Sequence, residues 1–327
     1  MKVCIYGAGA IGGHLAARLA RAGAEVSIVA RGAHLRAMQA NGLRVTAPDG
    51  EMHCRPRCSD NPAELGPQDA VLVTTKAPAL PSVAAGIGPL LGAETSVTFV
   101  MNGIPWWYFD CHGGPRDGER LATLDPGDAV RNAVGVKRTL GAVVYAAATV
   151  TEPGVVLVEA KDAKVVLGEL DNSVSPRASA LAKLLSGGGA GMVGEATDNI
   201  RFAVWNKLLG NLMTGPLCCL TRSSMKDTLG NPAVRAAAVR AAEDIAAIAA
   251  AYGHPLGGAA EARIARSSTL NHKPSILQDL EAGRPMEVEA MWQVPLHLAR
   301  QAGVAVPTLE LTTQLAAQAA RAAGLYA

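Results

Sequence analysis

Residues Lys2–Gly13 read KVCIYGAGAIGG. A short apolar run enters three glycines spaced G-x-G-x-x-G, and the apolar-periodic stretch AIGGHLAARLARAG follows directly. In the order strand, turn, helix, each glycine has a task. Gly7 permits the tight turn, Gly9 lets the backbone approach a pyrophosphate, and Gly12 lets helix and strand pack closely. Ala8, Ala10 and Ile11 complete the same candidate cradle, in which the first N–H groups and positive end of the helix face an anion. A glycine-rich turn with no ligand is the competing reading; the flanking strand and helix count against it.

Outward from this turn, Gly23 closes the helix and EVSIVA (Glu25–Ala30) reads as the next strand. AVLVTT (Ala70–Thr75) and TSVTFVM (Thr95–Met101) are bounded apolar runs of the kind found in strands buried on both faces. Strands alternating with helices imply an α/β fold with a parallel sheet and right-handed crossovers. LRVTAPDGEMHCRP predicts a hairpin around Pro48-Asp49-Gly50. From about Leu140 short strands turn at Pro153-Gly154 and near Asp162, and are expected to extend the sheet in antiparallel fashion. SPRASALAKLLSGGG reads as a helix stopped at Gly187–Gly189, and GMVGEA as a last strand.

After Asp198 strand signals vanish. NPAVRAAAVRAAEDIAAIAAAYG, KPSILQDLEAG, PMEVEAMWQVPLHLARQAG and PTLELTTQLAAQAARAAG each read as helix closed by glycine. The composition shift predicts two domains, 1–197 α/β and 198–327 all-helical.

The second strand distinguishes cofactors. An NAD site expects Asp or Glu about 20 residues beyond the glycines, bonding the ribose 2′-hydroxyl. SIVARG (Ser27–Gly32) carries Arg31 and no carboxylate there. A forked guanidinium suits the 2′-phosphate of NADP(H); a solvated surface arginine is the alternative. Lys76 and Asn102 follow two of the predicted parallel strands, at the edge where ligands bind in open α/β sheets. Asn102-Gly103 is also a turn dipeptide.

Bulk composition narrows the classes. The chain has 327 residues, 49% of them hydrophobic, enough for a sizeable core. A net charge of +2 gives no attraction to nucleic acid or acidic membranes. Six cysteines without a C-x-x-C read as reduced thiols, and neither they nor the seven histidines have metal-ligand spacing, so no metal is expected. The histidines read as surface or loop residues. No apolar run of about 18 residues and no leader precede or interrupt the pattern, which points to a cytoplasmic protein.

WNKLLGNLMTGPL (Trp205–Leu217) places Lys207 and Asn211 on one face of an otherwise apolar helix. Downstream, HKPSILQDLEAGRPMEVE sets Ser275 and Asp279 one turn apart and Glu287 in the first turn of the following helix. Lysine, asparagine, serine and glutamate directed toward a dinucleotide would bind and protonate a small polar keto acid. Burial lowers a lysine pKa and a neighbouring carboxylate raises it; the balance at Lys207 is open from sequence. Glu243 and Asp244 in the Ala-rich helix read as a solvated face, and Trp292 as core or interface.

With these residues in order, the chain resembles the 2-dehydropantoate 2-reductases (ketopantoate reductases), through GAGAIGG, Arg31, TTKA with Lys76, MNGI with Asn102, WNKLLGN with Lys207 and Asn211, and SILQD…E with Ser275, Asp279 and Glu287. The resemblance implies an N-terminal Rossmann-type domain with a C-terminal all-helical domain, an active site in the cleft, and NADPH-dependent reduction of 2-dehydropantoate to (R)-pantoate. It implies Lys207 as general acid, Glu287 as a second catalytic group orienting the site beside the cofactor, Asn211 and Ser275 on the substrate, and Asn102 on substrate and cofactor. A small 2-keto acid and a second copy of the chain in a homodimer are then the expected partners, with neither nucleic acid nor membrane. Two departures stand out. Typical members carry an asparagine where this chain has Gly215 before Pro216, a place where the helix is expected to end or kink. The stretch Asn102–Asp128, with Trp106, Trp107, Tyr108 and Phe109, is longer and more aromatic, read as packing or as a reshaped pocket. A reductase of another 2-keto acid and a non-catalytic NADP(H) sensor are the alternatives.

Overall fold

The computed structural model describes residues 1–258 and 260–326. They form two compact units, residues 1–101 with 106–200, and residues 102–105 with 201 onward.

The first unit starts with β1 (Lys2–Tyr6), α1 (Ala10–Arg21), β2 (Glu25–Val29), α2 (Gly32–Asn41), β3 (Leu43–Ala47), β4 (Gly50–Cys54) and β5 (Arg57–Ser59). It continues through β6 (Gln68–Val73), α3 (Leu80–Gly86), β7 (Leu91–Val100), α4 (Ala129–Val134) and β8 (Thr139–Tyr145). It closes with β9 (Ala148–Glu152), β10 (Val155–Val158), β11 (Ala163–Gly168), α5 (Pro176–Ser186) and β12 (Met192–Thr197).

The main sheet runs β12-β11-β8-β7-β6-β1-β2-β5. From β5 to β8 every pairing is parallel; β11 then lies antiparallel to β8 and β12 parallel to β11. Its central strands are buried on both faces, with Val3, Ile5, Val71, Leu72, Val97 and Leu140 all fully enclosed, which explains their unbroken apolar runs.

The strands after Leu140 correct the sequence expectation. Only β11 joins the main sheet antiparallel; β8 is parallel, and β9 and β10 leave it. They join the predicted hairpin, β3 and β4, in a second sheet ordered β4-β3-β10-β9. This sheet lies across α1, so α1 is covered on two sides. That double cover accounts for its small residues: a Cβ on Gly13 would stand 2.8 Å from Val156 Cγ2. It also overturns the surface reading of His14. The imidazole is buried, Arg18 Nε donates to its Nε2 at 3.0 Å, and the Arg18 guanidinium forks onto Asp49 at 2.6 Å for each oxygen.

The aromatic stretch is packing. Trp106, Trp107, Tyr108 and Phe109 are all buried. Trp106 meets Phe99 edge-on at 5.4 Å, and the Arg131 guanidinium stands 5.3 Å from the Trp106 ring while pairing with Asp110. Trp107 fills the space left at Gly141.

The second unit is helical: α6 (Ile200–Thr221), α7 (Met225–Gly230), α8 (Pro232–Ala251), α9 (Ala260–Ser267), α10 (Ser275–Glu281), α11 (Val294–Gln301) and α12 (Pro307–Ala322). A π-helical turn, Glu289–Gln293, leads into α11. Pro216 lies inside α6 without ending it; the helix runs on to Thr221. Asp244 on α8 is not a solvated group. Its carboxylate accepts from the N–H groups of Thr308 and Leu309 at 3.1 and 2.9 Å, capping the first turn of α12. Trp292 is fully buried. Among the described residues no helix is long and apolar enough to cross a membrane.

Candidate active site

The glycine turn is built as its spacing requires. Gly7 sits at φ 106°, and a Cβ there would stand 2.5 Å from the Thr75 methyl. A Cβ on Gly12 would stand 2.1 Å from the Gly7 carbonyl oxygen. Gly9 contrasts with both: it is exposed, and a Cβ would meet nothing within 4 Å. Gly9 also begins α1 with no side chain bonded across the helix start. The first N–H groups of the helix are therefore approachable by an oxyanion, with no side chain between. This fits a dinucleotide pyrophosphate, held by the backbone of Gly9, Ala10, Ile11 and Gly12, with Gly7 and Ala8 shaping the turn.

Sequence reasoning missed two residues that set this geometry. Thr74 Oγ1 donates to the Gly7 carbonyl at 2.5 Å, and Thr74 N–H donates to the Tyr6 carbonyl at 3.0 Å. Thr75 supplies the methyl against which only glycine fits at position 7. The available signal was two short hydroxyl side chains immediately past an apolar strand.

Arg31 is exposed, with extended backbone just ahead of α2. Its charge opposes the burial that raises the Tyr6 hydroxyl above the ordinary tyrosine range. Lys76 is half-buried and precedes the 3-10 turn Ala77–Ala79 in extended conformation. Both therefore lie past carboxyl ends of parallel strands, β2 and β6.

Asn102 belongs with the helical unit. Gly103 explains how: at φ 80° its α-carbon lies so near residue 290 that a Cβ would stand 2.4 Å from the Ala290 oxygen, and Ile104 N–H donates to that oxygen at 2.9 Å. This anchors Asn102 beside the start of the π-helical turn. Its Nδ2 donates to Glu287 Oε2 at 3.2 Å. Glu287 lies one residue ahead of the helix, and its carbonyl accepts from Met291 N–H at 3.0 Å.

Lys207 and Asn211 share one face of α6. Desolvation pulls the Lys207 pKa down to about 8, against the Glu287 carboxylate, which acts in the opposite sense. Burial thus wins the contest left open by the sequence. An amine titrating at about 8 gives up a proton more readily than one at about 10.4. Asn211 Nδ2 lies 4.0 Å from Met291 Sδ, a weak acceptor that leaves the amide available to a better one. Met291, buried beside Asn211, had no distinguishing mark in the sequence.

Ser275 opens α10 and is exposed; its neighbour Ile276 approaches Gly215 on α6. Asp279 points elsewhere. It is buried and paired with Arg284 Nε at 2.9 Å, closing the end of α10. Within the helical unit, then, Asn102, Lys207 and Glu287 form one electrostatic group, with Asn211 and the start of α10 along the same helix face.

Over nearly its whole length the chain is similar to known proteins. The family model described as "Ketopantoate reductase PanE/ApbA" matches residues 3–172, and its C-terminal counterpart matches residues 199–320. A 2-dehydropantoate 2-reductase of Mesorhizobium japonicum is 42% identical over the full length of both chains. The structure of a candidate ketopantoate reductase from Ralstonia solanacearum is 38% identical, with a TM-score of 0.91 and 99% of each chain covered. D-mandelate dehydrogenase, solved with NADH and anilino(oxo)acetate, shares the fold at 21% identity, TM-score 0.82, over 99% of this chain and 100% of its own.

Proposed function

Because the chain belongs to the ketopantoate reductase family and is an oxidoreductase of the 2-dehydropantoate 2-reductase type, we propose that it reduces the C2 ketone of 2-dehydropantoate to (R)-pantoate with NADPH, Lys207 acting as general acid. When bound, the reduced cofactor supplies the hydride. Residues 7–12 would hold its pyrophosphate, Arg31 its 2′-phosphate, and Lys76 and Asn102 its nicotinamide side. In this assignment residues 1–197 carry the cofactor and residues 198–327 the substrate. The proposal takes a cytoplasmic enzyme, with the two-fold homodimer, the commonest assembly, as its expected state.

Reduction of a ketone leaves an alkoxide that needs a proton. The observation that carries the reading is a lysine made more acidic by burial, with the Asn102–Glu287 pair beside it. Lys207 Nζ donates to the oxygen and neutralises it as charge develops, a contribution of roughly 10²–10⁴-fold. Glu287 keeps the amine cationic and orients the Asn102 amide. Asn211 and Ser275 would hold the keto acid, through an amide and a hydroxyl without formal charge.

Because a protein of this fold is solved with NADH, the preference for NADPH rests on Arg31 alone. The deciding assay follows reduced-cofactor oxidation with 2-dehydropantoate, using NADPH and NADH in parallel, for the wild type and Lys207→Ala. Turnover with NADPH lost in the variant supports the reading. Near-normal turnover of Lys207→Ala removes the lysine from the chemistry, and tight NADPH binding without turnover by the wild type makes the chain a sensor.

A further inference from the structure

Gly215 lies on α6 one turn beyond Asn211 and two beyond Lys207, on the same broad face. Glycine is the poorest helix former after proline, and here it stands directly before Pro216 in the interior of a 22-residue helix. Close packing does not demand it. Gly215 is buried, yet a Cβ at this position would touch one atom, Ile276 Cγ2, at the ordinary distance of 3.4 Å. The absent side chain therefore leaves room for matter that is not part of the helical unit. The side chain bordering that room, Ile276, is apolar, and so is Met291, beside Asn211 one turn back along α6. Ile276 and Met291 are each 4% exposed, and Met291 lies against the Asn211 amide. The Thr214 hydroxyl, next to Gly215, is turned back onto the Gly210 carbonyl at 3.3 Å, and the Ser275 hydroxyl, next to Ile276 at the exposed start of α10, is the one assigned above to the keto acid head. The polar groups gather at the other end, at Lys207, Asn102 and Glu287.

We propose that Gly215, with Ile276 and Met291, forms an apolar wall for the substituent on C3 of the substrate, so that the enzyme also reduces 2-oxo acids whose side chain is bulky and purely apolar. This rests on the reductase reading above and sharpens it. The keto acid head meets the amine and amides, and the tail meets a wall that offers no hydrogen bond. A site that hydrogen-bonds a substrate hydroxyl rejects the analogue lacking it by roughly 10⁴–10⁵, whereas an apolar pocket separates two such molecules by only about 10². Gly215 is thus a specificity-determining residue: its missing side chain decides both the room and the polarity at the tail.

The test uses a matched pair, 2-dehydropantoate and 3,3-dimethyl-2-oxobutanoate, which differ by the terminal hydroxymethyl in place of methyl. With NADPH as reductant, kcat/KM is measured for each on the wild-type chain, Gly215→Asn and Ile276→Thr. The expected wild-type ratio is within about 100-fold. Gly215→Asn, which sets an amide at the wall, raises the ratio in favour of the hydroxylated acid by at least about tenfold. Ile276→Thr keeps the β-branch, is shorter by one carbon and sets a hydroxyl at the wall; it shifts the ratio the same way, which keeps the test open if Gly215→Asn does not fold. A wild-type ratio of about 10⁴ or more, or a ratio unmoved in both variants, overturns the wall while leaving the reductase intact. Turnover of neither acid by the wild type overturns the reductase reading, and this inference with it.

Discussion

At the scale of single residues, Lys207 and Arg31 carry the sharpest expectations. Lys207 is pulled from an ordinary lysine pKa to about 8 by desolvation. A general acid must hold its proton, so reduction is expected to be flat below that value and to fall about tenfold per pH unit above it. A profile of kcat against pH for the wild type checks this; a rate that stays level to pH 10 excludes the amine as donor. For Arg31→Ala, loss of one charge-assisted contact to a phosphate is expected to weaken NADPH by roughly 10–100-fold while leaving NADH nearly untouched, measured as the ratio of the two efficiencies. The spacing of Lys207 and Asn211 was readable because four residues on a helix return to the same face. Their environment was not. Whether Glu287 or burial dominates depends on how the folded chain surrounds the amine, and that leaves no local mark in the sequence.

At the scale of the element, the strand–turn–helix unit separates two kinds of glycine. Gly12→Ala forces a Cβ into the Gly7 carbonyl, 2.1 Å away, and is expected to destabilise by about 1–3 kcal/mol as well as to weaken cofactor. Gly9→Ala meets no protein atom within 4 Å and is expected to leave stability within about 0.5 kcal/mol while weakening cofactor binding. Thermal melts with and without NADPH distinguish the two. On the helical side, Asp244→Ala removes the acceptor from two N–H groups of α12 and should cost about 0.5–2 kcal/mol. Local patterns predicted the parallel strands and long helices well, because period and turn chemistry are local. They failed for β9 and β10, which join the second sheet because β10 pairs with β3 more than a hundred residues earlier, and for Asp244, whose carboxylate serves another helix. Long-range pairing of this kind has no signature within a window of sequence.

At the scale of the whole molecule, acid sensitivity centres on the network at α1. Burial is the main cause that lowers the His14 pKa from 6.5 to about 4, with the Arg18 charge adding to it and Asp49 opposing. The unfolded chain therefore binds this proton first. Stability is complete above about pH 6.5 and is lost as pH falls toward about 4, by on the order of 3 kcal/mol in total. Asp49, held well below the usual carboxylate range chiefly by its Arg18 hydrogen bonds, withdraws its own contribution only at still lower pH. Denaturant midpoints between pH 7 and 4 for the wild type and His14→Gln check the assignment: the substitution should flatten that part of the curve. Net charge and composition gave no hint of this, since they do not distinguish a buried histidine from a surface one.

The anchoring of residues 102–105 beside Ala290 has a consequence for dissection. A truncated gene that starts at Arg201 encodes every long helix of the second unit but not the four residues that complete it. Such a fragment would leave the Ala290 oxygen without the Ile104 donor and deprive Glu287 of the Asn102 amide. Autonomous production of that half would call for a grafted Asn-Gly-Ile-Pro strap, since the unit is contiguous in space but interrupted along the chain.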